Sequence, residues 1–425
     1  MDAHLPRKAF LMIRSMQSAL SGMRAHQGML DVVGNNISNV STTGFKSSGV
    51  VFQDILTQVI SGAGEPTAIL GGTNPAQVGL GVRIAGVNQS MAQGALQRTG
   101  RSGDMSIQGD GFFLVNVAGA EAYTRAGNFT VDALGRITSV DGGLVQGWQA
   151  NAAGVLNTNG PTGNIAVQVG NQLPPKQTEN VRLGGNIPSD AAIGSTVTTA
   201  AAIYDNQGNE TLLSMTFTKT AADAWTAVAT YGNNATPVAL TDNNITFNAA
   251  GERVTPADGD MNIAPGTIPG FPNAIDVSLG AAGESGRVTQ YAGRKSLVTT
   301  EQDGFSSGVL QSYSVSPDGR LVGTYSNGRT QNIAQVALAV FANPEGLERV
   351  GGVWRESANS GIAQVGVANA GGRGQINPST LELSNVDLAQ EFTNLIVAQR
   401  GFQANSRVIS SSDELLQEIV NLKRG

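Results

Sequence analysis

The sequence predicts a mainly β fold with α-helical termini, and three observations support this prediction. The chain has 425 residues, of which 55 are glycine and only 14% are charged. That composition suits many short strands joined by tight turns, in which glycine, asparagine and aspartate accept positive φ angles. The two ends instead carry apolar residues at helical spacing. The length favours two or three domains, and the 40% hydrophobic fraction can build their cores.

The N-terminal segment carries the first helical pattern. From Ile13 onward, apolar residues follow a 3–4 spacing at Met16, Leu20, Met23, Leu30 and Ile37. This pattern predicts an amphipathic helix with a heptad-like seam. Gly34, Asn35 and Asn36 weaken the seam, because glycine and asparagine favour a helix end or a kink.

The C-terminal segment carries the stronger pattern. Apolar residues recur at seven-residue intervals at Leu388, Leu395, Phe402, Ile409 and Leu416, and Phe392 extends the same face. Ser384 followed by Asp387 predicts a capping box at the helix start. One interpretation is an ordinary helix buried on its own domain. We favour contact with a partner helix, because both chain ends carry seams and little lies beside them.

The middle of the chain carries strand and turn signals. Residues 109–111 predict a tight turn that enters an apolar strand at 112–115. Residues 132–136, 205–209 and 316–320 predict hairpin turns, and residues 333–341 predict a buried strand. A calcium loop at 205–209 is excluded, because the required later glutamate is missing. Stretches rich in proline, asparagine and glycine at 160–175 and 256–272 predict domain edges or loops.

Candidate catalytic groups are few. The only histidines are His4 and His26, both in the N-terminal segment, and cysteine is absent. The sequence therefore excludes disulfides and thiol chemistry and argues against metal sites built on histidine or cysteine. The carboxylate pairs Asp104–Asp110 and Glu301–Asp303 have the residue types of a glycoside hydrolase, but Asp-Gly pairs belong first to turns. We expect no catalytic, cofactor-binding or metal site, and no enzymatic activity.

Charge and hydropathy limit the partners. The net charge of −6 comes without a basic face, so we expect no nucleic-acid partner. No apolar run approaches the roughly 20 residues that span a bilayer, so we expect no membrane insertion. The N-terminal apolar run, residues 9–13, ends at Arg14 and is shorter than the roughly 7–15 residues of a cleavable signal. We therefore expect no cleaved signal peptide.

Four segments resemble a known family. Residues 34–46, Gly-Asn-Asn-Ile-Ser-Asn-Val-Ser-Thr-Thr-Gly-Phe-Lys, closely resemble the signature of the axial proteins of the bacterial flagellum, which are its rod, hook and hook-associated subunits. The signature residues that we single out are Asn35, Asn36, Asn39, Thr43, Gly44, Phe45 and Lys46. Residues 107–113 and 123–130 are similar to the core-domain motifs of the same family, and residues 397–406 to its closing helix.

The sequence of the middle of the chain distinguishes hook subunits from distal rod subunits within this family. Residues 204–209, Trp225 and residues 246–251 resemble the outer domain of hook subunits, and residues 325–328 and 341–347 resemble the core segment that follows it. In this family, distal rod subunits are expected to be shorter and to lack a large inserted domain. The resemblance therefore implies a hook subunit, with a distal rod subunit as the alternative. The chain departs from the family pattern in an extra N-terminal stretch, residues 1–11.

The resemblance implies a nested architecture. Residues 1–80 and 372–425 would form a helical inner domain with its linkers, in which the two terminal helices run antiparallel. Residues 81–150 and 287–371 would form a β-rich core domain. Residues 151–286 would form a β-rich outer domain, inserted into the core domain as one continuous segment.

The resemblance also implies a role and partners. The role is a structural subunit of a curved, flexible tube that transmits torque from motor to filament. The tube would lie outside the cell, after export by the flagellar type III apparatus without signal cleavage. Implied partners are further copies of the chain, the distal rod, the hook cap and the hook–filament junction proteins, and the two apolar seams would be assembly residues. On composition alone, a secreted β-rich adhesin or glycan-processing enzyme is the alternative, and it would have an acidic cleft and remain monomeric.

Overall fold

The computed structural model describes residues 5–66, 71–232, 236–281, 284–293 and 295–422. These residues form a mainly β fold with one long helix near each end, which confirms the predicted fold class. The helices are α1 (Leu5–Ser38) and α2 (Leu388–Leu422), and Pro344–Gly346 forms a short 3-10 turn. Neither long helix in the described ranges combines the length and the hydropathy that crossing a membrane requires.

The strands are short and follow one another closely, numbered here in chain order. The first twelve are β1 (Ser48–Asp54), β2 (Thr57–Ser61), β3 (Ala76–Gly79), β4 (Val82–Gln89), β5 (Leu96–Arg98), β6 (Met105–Gln108), β7 (Phe112–Val117), β8 (Ala120–Thr124), β9 (Thr130–Val131), β10 (Ile137–Thr138), β11 (Leu144–Gln149) and β12 (Gly163–Asn164). The next twelve are β13 (Gln172–Leu173), β14 (Asn180–Pro188), β15 (Thr196–Tyr204), β16 (Glu210–Ala221), β17 (Ala224–Tyr231), β18 (Thr236–Val238), β19 (Asn244–Phe247), β20 (Arg253–Thr255), β21 (Asp260–Ile263), β22 (Ile275–Ser278), β23 (Val288–Tyr291) and β24 (Val298–Gln302). The last eight are β25 (Gly308–Val315), β26 (Arg320–Tyr325), β27 (Thr330–Val340), β28 (Glu348–Val350), β29 (Val353–Arg355), β30 (Gln364–Val367), β31 (Gln375–Pro378) and β32 (Thr380–Glu382).

The chain divides into two compact units. The first contains Met1–Val167, Ser314–Val322 and Asn332–Gly425, and the second contains Gln168–Tyr313 and Gly323–Gln331. The boundary near residue 168 falls in the stretch 160–175 that predicted a domain edge, whereas the stretch 256–272 lies inside the second unit.

The second unit does not begin and end at the expected limits of the outer domain, 151 and 286. Strand β12 lies after residue 151 but pairs with β11 of the first unit. Strands β23 and β24 lie after residue 286 but pair with β14 of the second unit. The division of the remainder into 1–80 with 372–425 and 81–150 with 287–371 stays a prediction.

The first unit is built on an antiparallel sheet with the strand order β27-β11-β7-β8-β29-β28. Residues 334–339 of β27 are buried, which confirms the buried strand predicted at 333–341. Aromatic rings pack edge-to-face on this sheet, with Phe112 5.4 Å from Trp354 and Tyr123 4.8 Å from Phe341. Such pairs add about 0.5–1.5 kcal/mol each beyond the area they bury.

The second unit has its own core. Strands β15, β16 and β17 pair antiparallel, and their side chains alternate between buried and exposed. Their inner faces bury Phe217 and Trp225 completely. Asp205 accepts hydrogen bonds from the backbone amides of Gln207 and Asn209, which confirms the hairpin turn predicted at 205–209. A unit with a separate core is expected to fold alone.

The helix ends differ in detail from their predictions. Helix α1 continues through Gly34 and Asn36 and ends at Ser38. Helix α2 is capped by Asp387, whose carboxylate accepts the amide hydrogens of Ala389 and Gln390. The predicted capping box at Ser384 is therefore wrong, because Asp387 directly precedes the first helical residue and satisfies the free amides itself.

We expect a fragment of residues 168–331 to unfold cooperatively with a β-type circular dichroism spectrum. In that fragment, Trp225→Ala should lower the free energy of unfolding by about 3–5 kcal/mol, since it leaves a cavity in the core. The control is Val228→Ala on the same strand, where the side chain is 44% exposed and the change should stay within about 0.5 kcal/mol. Urea denaturation followed by circular dichroism measures both. A non-cooperative transition would contradict the assignment of a separate core.

Candidate functional site

The signature segment forms the exit of helix α1. Asn36 is fully buried, and its side-chain amide exchanges two hydrogen bonds with the backbone of Ser48, at 2.8 and 3.0 Å. Asn39 donates to the carbonyl of Asn35 and accepts from the hydroxyl of Thr42. The three asparagines therefore end the helix and fix the start of β1.

Gly44 is the tightest point of the segment. Its φ angle is +68°, a left-handed conformation that favours glycine. A Cβ atom at this position would lie 2.7 Å from the backbone of Arg125 and Ala126. Its amide donates to the carbonyl of Glu382 at 2.8 Å. Only glycine satisfies both the backbone angle and this close approach.

The residues on either side of Gly44 are at least half-buried. Phe45 is 2% exposed, and the guanidinium of Arg349 lies 4.5 Å from the centre of its ring. Thr43 is half-buried in the wall of a cavity of about 390 Å³ that Gly44 and Phe45 also line. The signature segment is thus packed into the first unit along most of its length.

A buried charge cluster holds this segment to the C-terminal part of the chain. Lys46 donates to Oε1 of Glu382 at 2.7 Å, and Arg125 donates to Oε2 at 3.4 Å. The backbone amide of Gly94 also donates to Oε1, at 3.0 Å. The side chains of Lys46, Glu382 and Arg125 are only 1%, 0% and 5% exposed. One carboxylate therefore joins four separate stretches of chain.

Burial and the negative charge of Glu382 act in opposite directions on the pKa values of the two cations. Burial lowers the pKa of Lys46, and the hydrogen bond and negative charge of Glu382 oppose that change. Burial likewise lowers the pKa of Arg125, against the charges of Glu382 and Asp110. Each cation also donates to a carbonyl, Lys46 to Ala92 and Arg125 to Gly109. A cluster with these fixed partners is suited to holding the segments together.

Sequence reasoning singled out Lys46 but missed Glu382 and Arg125. Arg125 lay inside a recognised motif, yet nothing in its spacing indicated burial. Glu382 lies between Leu381 and Leu383, and alternation along a strand would place its side chain on the face opposite the two leucines, which is ordinarily the solvent face. The sequence therefore carried no signal of its burial.

The two terminal helices pack against each other in antiparallel directions. A Cβ atom on Gly22 would lie 2.8 Å from Asn405, and one on Gly401 would meet the ring of His26. Positions later in α1 therefore face positions earlier in α2. Among the residues whose burial is described, the buried positions of the pair are mostly small: Ala19, Gly22, Ala25, Val33 and Asn36 in α1, and Ala398 and Ser412 in α2.

The predicted seam of α1 lies beside the buried row. Met16, Met23, Leu30 and Ile37 are half-buried, and Leu20 is 41% exposed. Most of these residues follow a buried position by one residue, which turns them about 100° around the helix. In the described chain, the α1 seam is therefore left partly open.

The predicted seam of α2 divides into two parts. Leu395, Phe402, Ile409 and Leu416 are half-buried, whereas Leu388 and Phe392 are 41% and 51% exposed. Further exposed apolar residues of α2 were not predicted, namely Ile396, Val397, Val408 and Leu415. Whether these surfaces act in assembly stays a prediction, which the single chain does not test.

One carboxylate of each suggested catalytic pair, Asp104 and Asp303, is hydrogen-bonded to neighbouring groups. Asp104 is 1% exposed and accepts from the hydroxyl of Thr99 at 2.6 Å. Asp303 accepts from Lys176 at 2.9 Å and from three amide groups of residues 179 and 180. Burial alone would raise the pKa of Asp303, but these hydrogen bonds lower it to about 2. Asp303 is thus ionised at neutral pH and cannot serve as a general acid there.

One of the two histidines, His26, lies within the described residues. The ring of His26 lies 5.7 Å from the ring of Phe52, and His4 lies outside the described residues. In the parts of the chain that the structure describes, no group of three or more histidines and carboxylates is placed to hold a metal ion.

Four family models match the chain. They are "Flagella basal body rod protein" at residues 16–46, "Flagellar hook protein FlgE/F/G D1 domain" at 106–193, "Flagellar basal body protein FlaE D2 domain" at 174–305, and "Flagellar basal body rod FlgEFG protein C-terminal" at 378–422. The matches define an axial protein of the bacterial flagellum. The chain belongs to the family of flagellar hook and basal-body rod proteins.

Individual relatives match over nearly the whole chain. The flagellar hook protein FlgE of Borreliella burgdorferi is 37% identical over 97% of this chain and 100% of its own length, and that of Escherichia coli is 34% identical over 96% and 100%. The basal-body rod protein FlgG of Bacillus subtilis is 31% identical over 97% and 100%. The crystal structure of the Helicobacter pylori hook protein FlgE2 shares the fold, with a TM-score of 0.53, 14% identity, and coverage of 66% of this chain and 99% of that one.

The relatives include both hook and rod proteins. The hook proteins of Borreliella burgdorferi and Escherichia coli are 37% and 34% identical to this chain, and the Bacillus subtilis rod protein is 31% identical. The hook protein of Brucella suis is also 31% identical, so identity alone does not separate the two kinds of subunit. The expectation that distal rod subunits are shorter and lack a large inserted domain stays a prediction.

We expect Glu382→Gln to destabilise the first unit by about 3–5 kcal/mol, because it leaves two buried cations without their anion. The matched control is Asp318→Asn, which removes an ion pair whose partners are 37% and 50% exposed and should cost about 0–1 kcal/mol. Urea denaturation of the full chain, followed by tryptophan fluorescence, measures both. Equal midpoints for the two variants would contradict the role assigned to Glu382.

Acid should weaken the second unit through Asp303. Its folded pKa of about 2 lies below the ordinary value of 3.8, so its ionised form stabilises the fold above about pH 4, and this contribution is lost as the pH falls through 2. Asp303→Asn should therefore lower the melting temperature at pH 6, and the difference from wild type should shrink between pH 4 and pH 2. A difference that does not change with pH would show that the charge of Asp303 contributes nothing.

Proposed function

We propose that this chain is the structural subunit of a flagellar hook, which polymerises into a curved, flexible tube that transmits torque from motor to filament. The observation that carries this proposal is the similarity to flagellar hook proteins along 96–97% of the chain and the full length of those relatives. The family is structural, and its members are named for the hook and the rod of the flagellum.

The surface of the terminal helices supports polymerisation. The pair α1–α2 buries mainly small residues between its helices and leaves larger apolar side chains partly open. Exposed apolar groups at several turns of one helix are characteristic of an interaction surface. Contacts between unlike surfaces of identical subunits, repeated by a rotation that does not close, generate an open helical tube. We assign the two predicted seams to these contacts.

We propose no enzymatic activity for the chain. The carboxylates that suggested glycoside hydrolysis are each bound by neighbours: Asp303 by Lys176 and amide groups, and Asp104 by Thr99. The buried cations Lys46 and Arg125 are each bound to the buried carboxylate of Glu382. These contacts support a structural role for each group.

The wider setting is part of the same proposal. We place the chain in the hook and basal body, outside the cell, after export by the flagellar type III apparatus without cleavage of a signal peptide. Its partners would be further copies of itself and the distal rod, hook cap and hook–filament junction proteins. We also retain the nested division into inner, core and outer domains, with the outer domain corresponding to the second compact unit.

A distal rod subunit is the second candidate. The full-length match to the rod protein of Bacillus subtilis favours it. The two candidates differ in where the chain accumulates. Immunogold electron microscopy of isolated basal bodies should label the curved segment outside the outermost ring, and label confined to the straight rod would establish the rod assignment instead.

We expect Phe392→Asp to abolish tube formation and to leave the melting temperature of the purified monomer unchanged. Phe392 is 51% exposed on the described chain, so a carboxylate there is harmless until a neighbouring subunit covers it and desolvates the charge. The control is Gln390→Asp, an exposed polar position about 200° around the same helix. Electron microscopy at rising protein concentration and a thermal melt give the two readouts.

Two outcomes would contradict the assignment of the seam. Tubes of normal length from Phe392→Asp would show that this face is not buried in the polymer. A lowered monomer melting temperature would show that Phe392 belongs to the fold of the single chain.

A further inference from the structure

An asparagine is followed directly by glycine at two places in the sequence, Asn159-Gly160 and Asn327-Gly328. In such a pair, the backbone nitrogen of the glycine can attack the side-chain amide carbon of the asparagine and close a five-membered ring. Glycine favours this reaction, because it has no Cβ atom to hinder the ring and its backbone turns freely. The two pairs are therefore the positions at which the sequence favours spontaneous deamidation.

The first pair has both reacting groups free. Asn159 is exposed, and among the residues that the structure describes, none holds its side-chain amide by a hydrogen bond. The backbone amide of Gly160, which is the nucleophile, likewise has no acceptor within the described ranges. The hydrogen bonds nearby involve other groups. The backbone amide of Asn159 donates to Asn157, and the carbonyl of Gly160 accepts from Trp148.

The second pair has both reacting groups held. The side-chain amide of Asn327 donates to the carbonyl of Ser306 at 2.7 Å, and its Oδ1 accepts from the backbone amide of Arg329 at 3.1 Å. The backbone amide of Gly328 donates to the carbonyl of Tyr325 at 3.0 Å. Ring closure at this pair must first break these hydrogen bonds. The fold therefore protects the second pair and leaves the first one unprotected.

We propose that Asn159 is a site of spontaneous deamidation in the folded chain. The backbone nitrogen of Gly160 loses its proton to the solvent and bonds to Cγ of Asn159, and the Cγ–Nδ2 bond breaks with release of ammonia. Water then opens the succinimide ring. Opening at Cγ gives aspartate, and opening at the backbone carbonyl carbon gives isoaspartate, whose main chain runs through Cβ and Cγ. The reaction consumes water, releases ammonia, and oxidises or reduces nothing.

The modification changes the surroundings of a core tryptophan. It replaces a neutral amide by a carboxylate, so the net charge of −6 becomes more negative. In isoaspartate, the main chain gains an additional carbon atom directly before Gly160. The carbonyl of Gly160 accepts from Nε1 of Trp148 at 2.9 Å, and Trp148 is 6% exposed. We expect the isoaspartate form to lose this hydrogen bond, because the added atom displaces the carbonyl.

The first test compares the two pairs within one sample. The full chain is incubated at mildly alkaline pH, either folded or in concentrated urea, and is then digested with trypsin. Tandem mass spectrometry follows the exchange of amide for acid at each asparagine. We expect Asn159 to react at least about tenfold faster than Asn327 in the folded chain, because hydrogen bonds must break only at Asn327. In urea the two rates should differ much less, since neither pair is held.

The second test hinders the ring closure. The φ angle of Gly160 is not positive, and a Cβ atom there would lie 3.7 Å from its nearest neighbour, in Asn157, which is an ordinary contact. Gly160→Ala therefore fits the fold. We expect this variant to lose most of the difference in rate between Asn159 and Asn327. The control is Gly163→Ala, where a Cβ atom meets nothing within 4 Å, and it should react as wild type does.

The outcomes decide the proposal without any assembly of the chain. Equal rates at Asn159 and Asn327 in the folded protein would overturn it, and so would reaction of Asn159 in urea alone. Unchanged reaction of Asn159 in Gly160→Ala would show that the glycine amide is not the nucleophile and would overturn it as well. If Gly160→Ala melts early, the comparison of folded and urea-treated wild type decides by itself.

Discussion

The carboxylate of Glu382 fixes how the two ends of the chain meet. It accepts hydrogen bonds from Lys46, Arg125 and the amide of Gly94, while the carbonyl of the same residue accepts from Gly44. Removing one member of a buried charge cluster leaves the others without compensation, so such a cluster tolerates little change in geometry. The paths of the chain out of α1 and into α2 both pass through this point. Their relation is therefore set by electrostatics as well as by apolar packing.

Glycines allow the backbone segments to approach one another closely enough to form these contacts. Gly44 allows the signature segment to reach the backbone of Arg125, and Gly22 and Gly401 make room for Asn405 and His26 between the helices. Small residues at the helix contact leave the larger apolar side chains on other faces of the helices. The same choice of residues thus closes the fold of one chain and leaves apolar side chains exposed on its helices.

The sequence predicted those features that depend on local pattern. The strict spacing from Leu395 to Leu416 predicted α2, and Asp205 and its neighbours predicted a turn, because both signals lie within a few residues. The seam of α1 was predicted on a face beside the buried one. A hydrophobic pattern is set by large apolar residues, so the small buried residues Ala19 and Gly22 did not contribute to it. The pair Lys46–Glu382 joins residues 336 positions apart, and no periodicity reports such a contact. The limits of the second unit depend on equally distant pairings, those of β14 with β23 and β24.

The signature and the apolar faces of the helices differ in their surroundings. Asn36, Gly44 and Lys46 make their contacts inside the single chain, so a change at any of them acts through the stability of the first unit. Leu388 and Phe392 are exposed on the single chain, so its stability depends little on them. The residues by which the family is recognised are therefore residues that hold the fold, whereas the seam that we propose for assembly is made of other residues. Gly44 and Lys46 both contact Glu382, which ties the end of α1 to the strand that precedes α2.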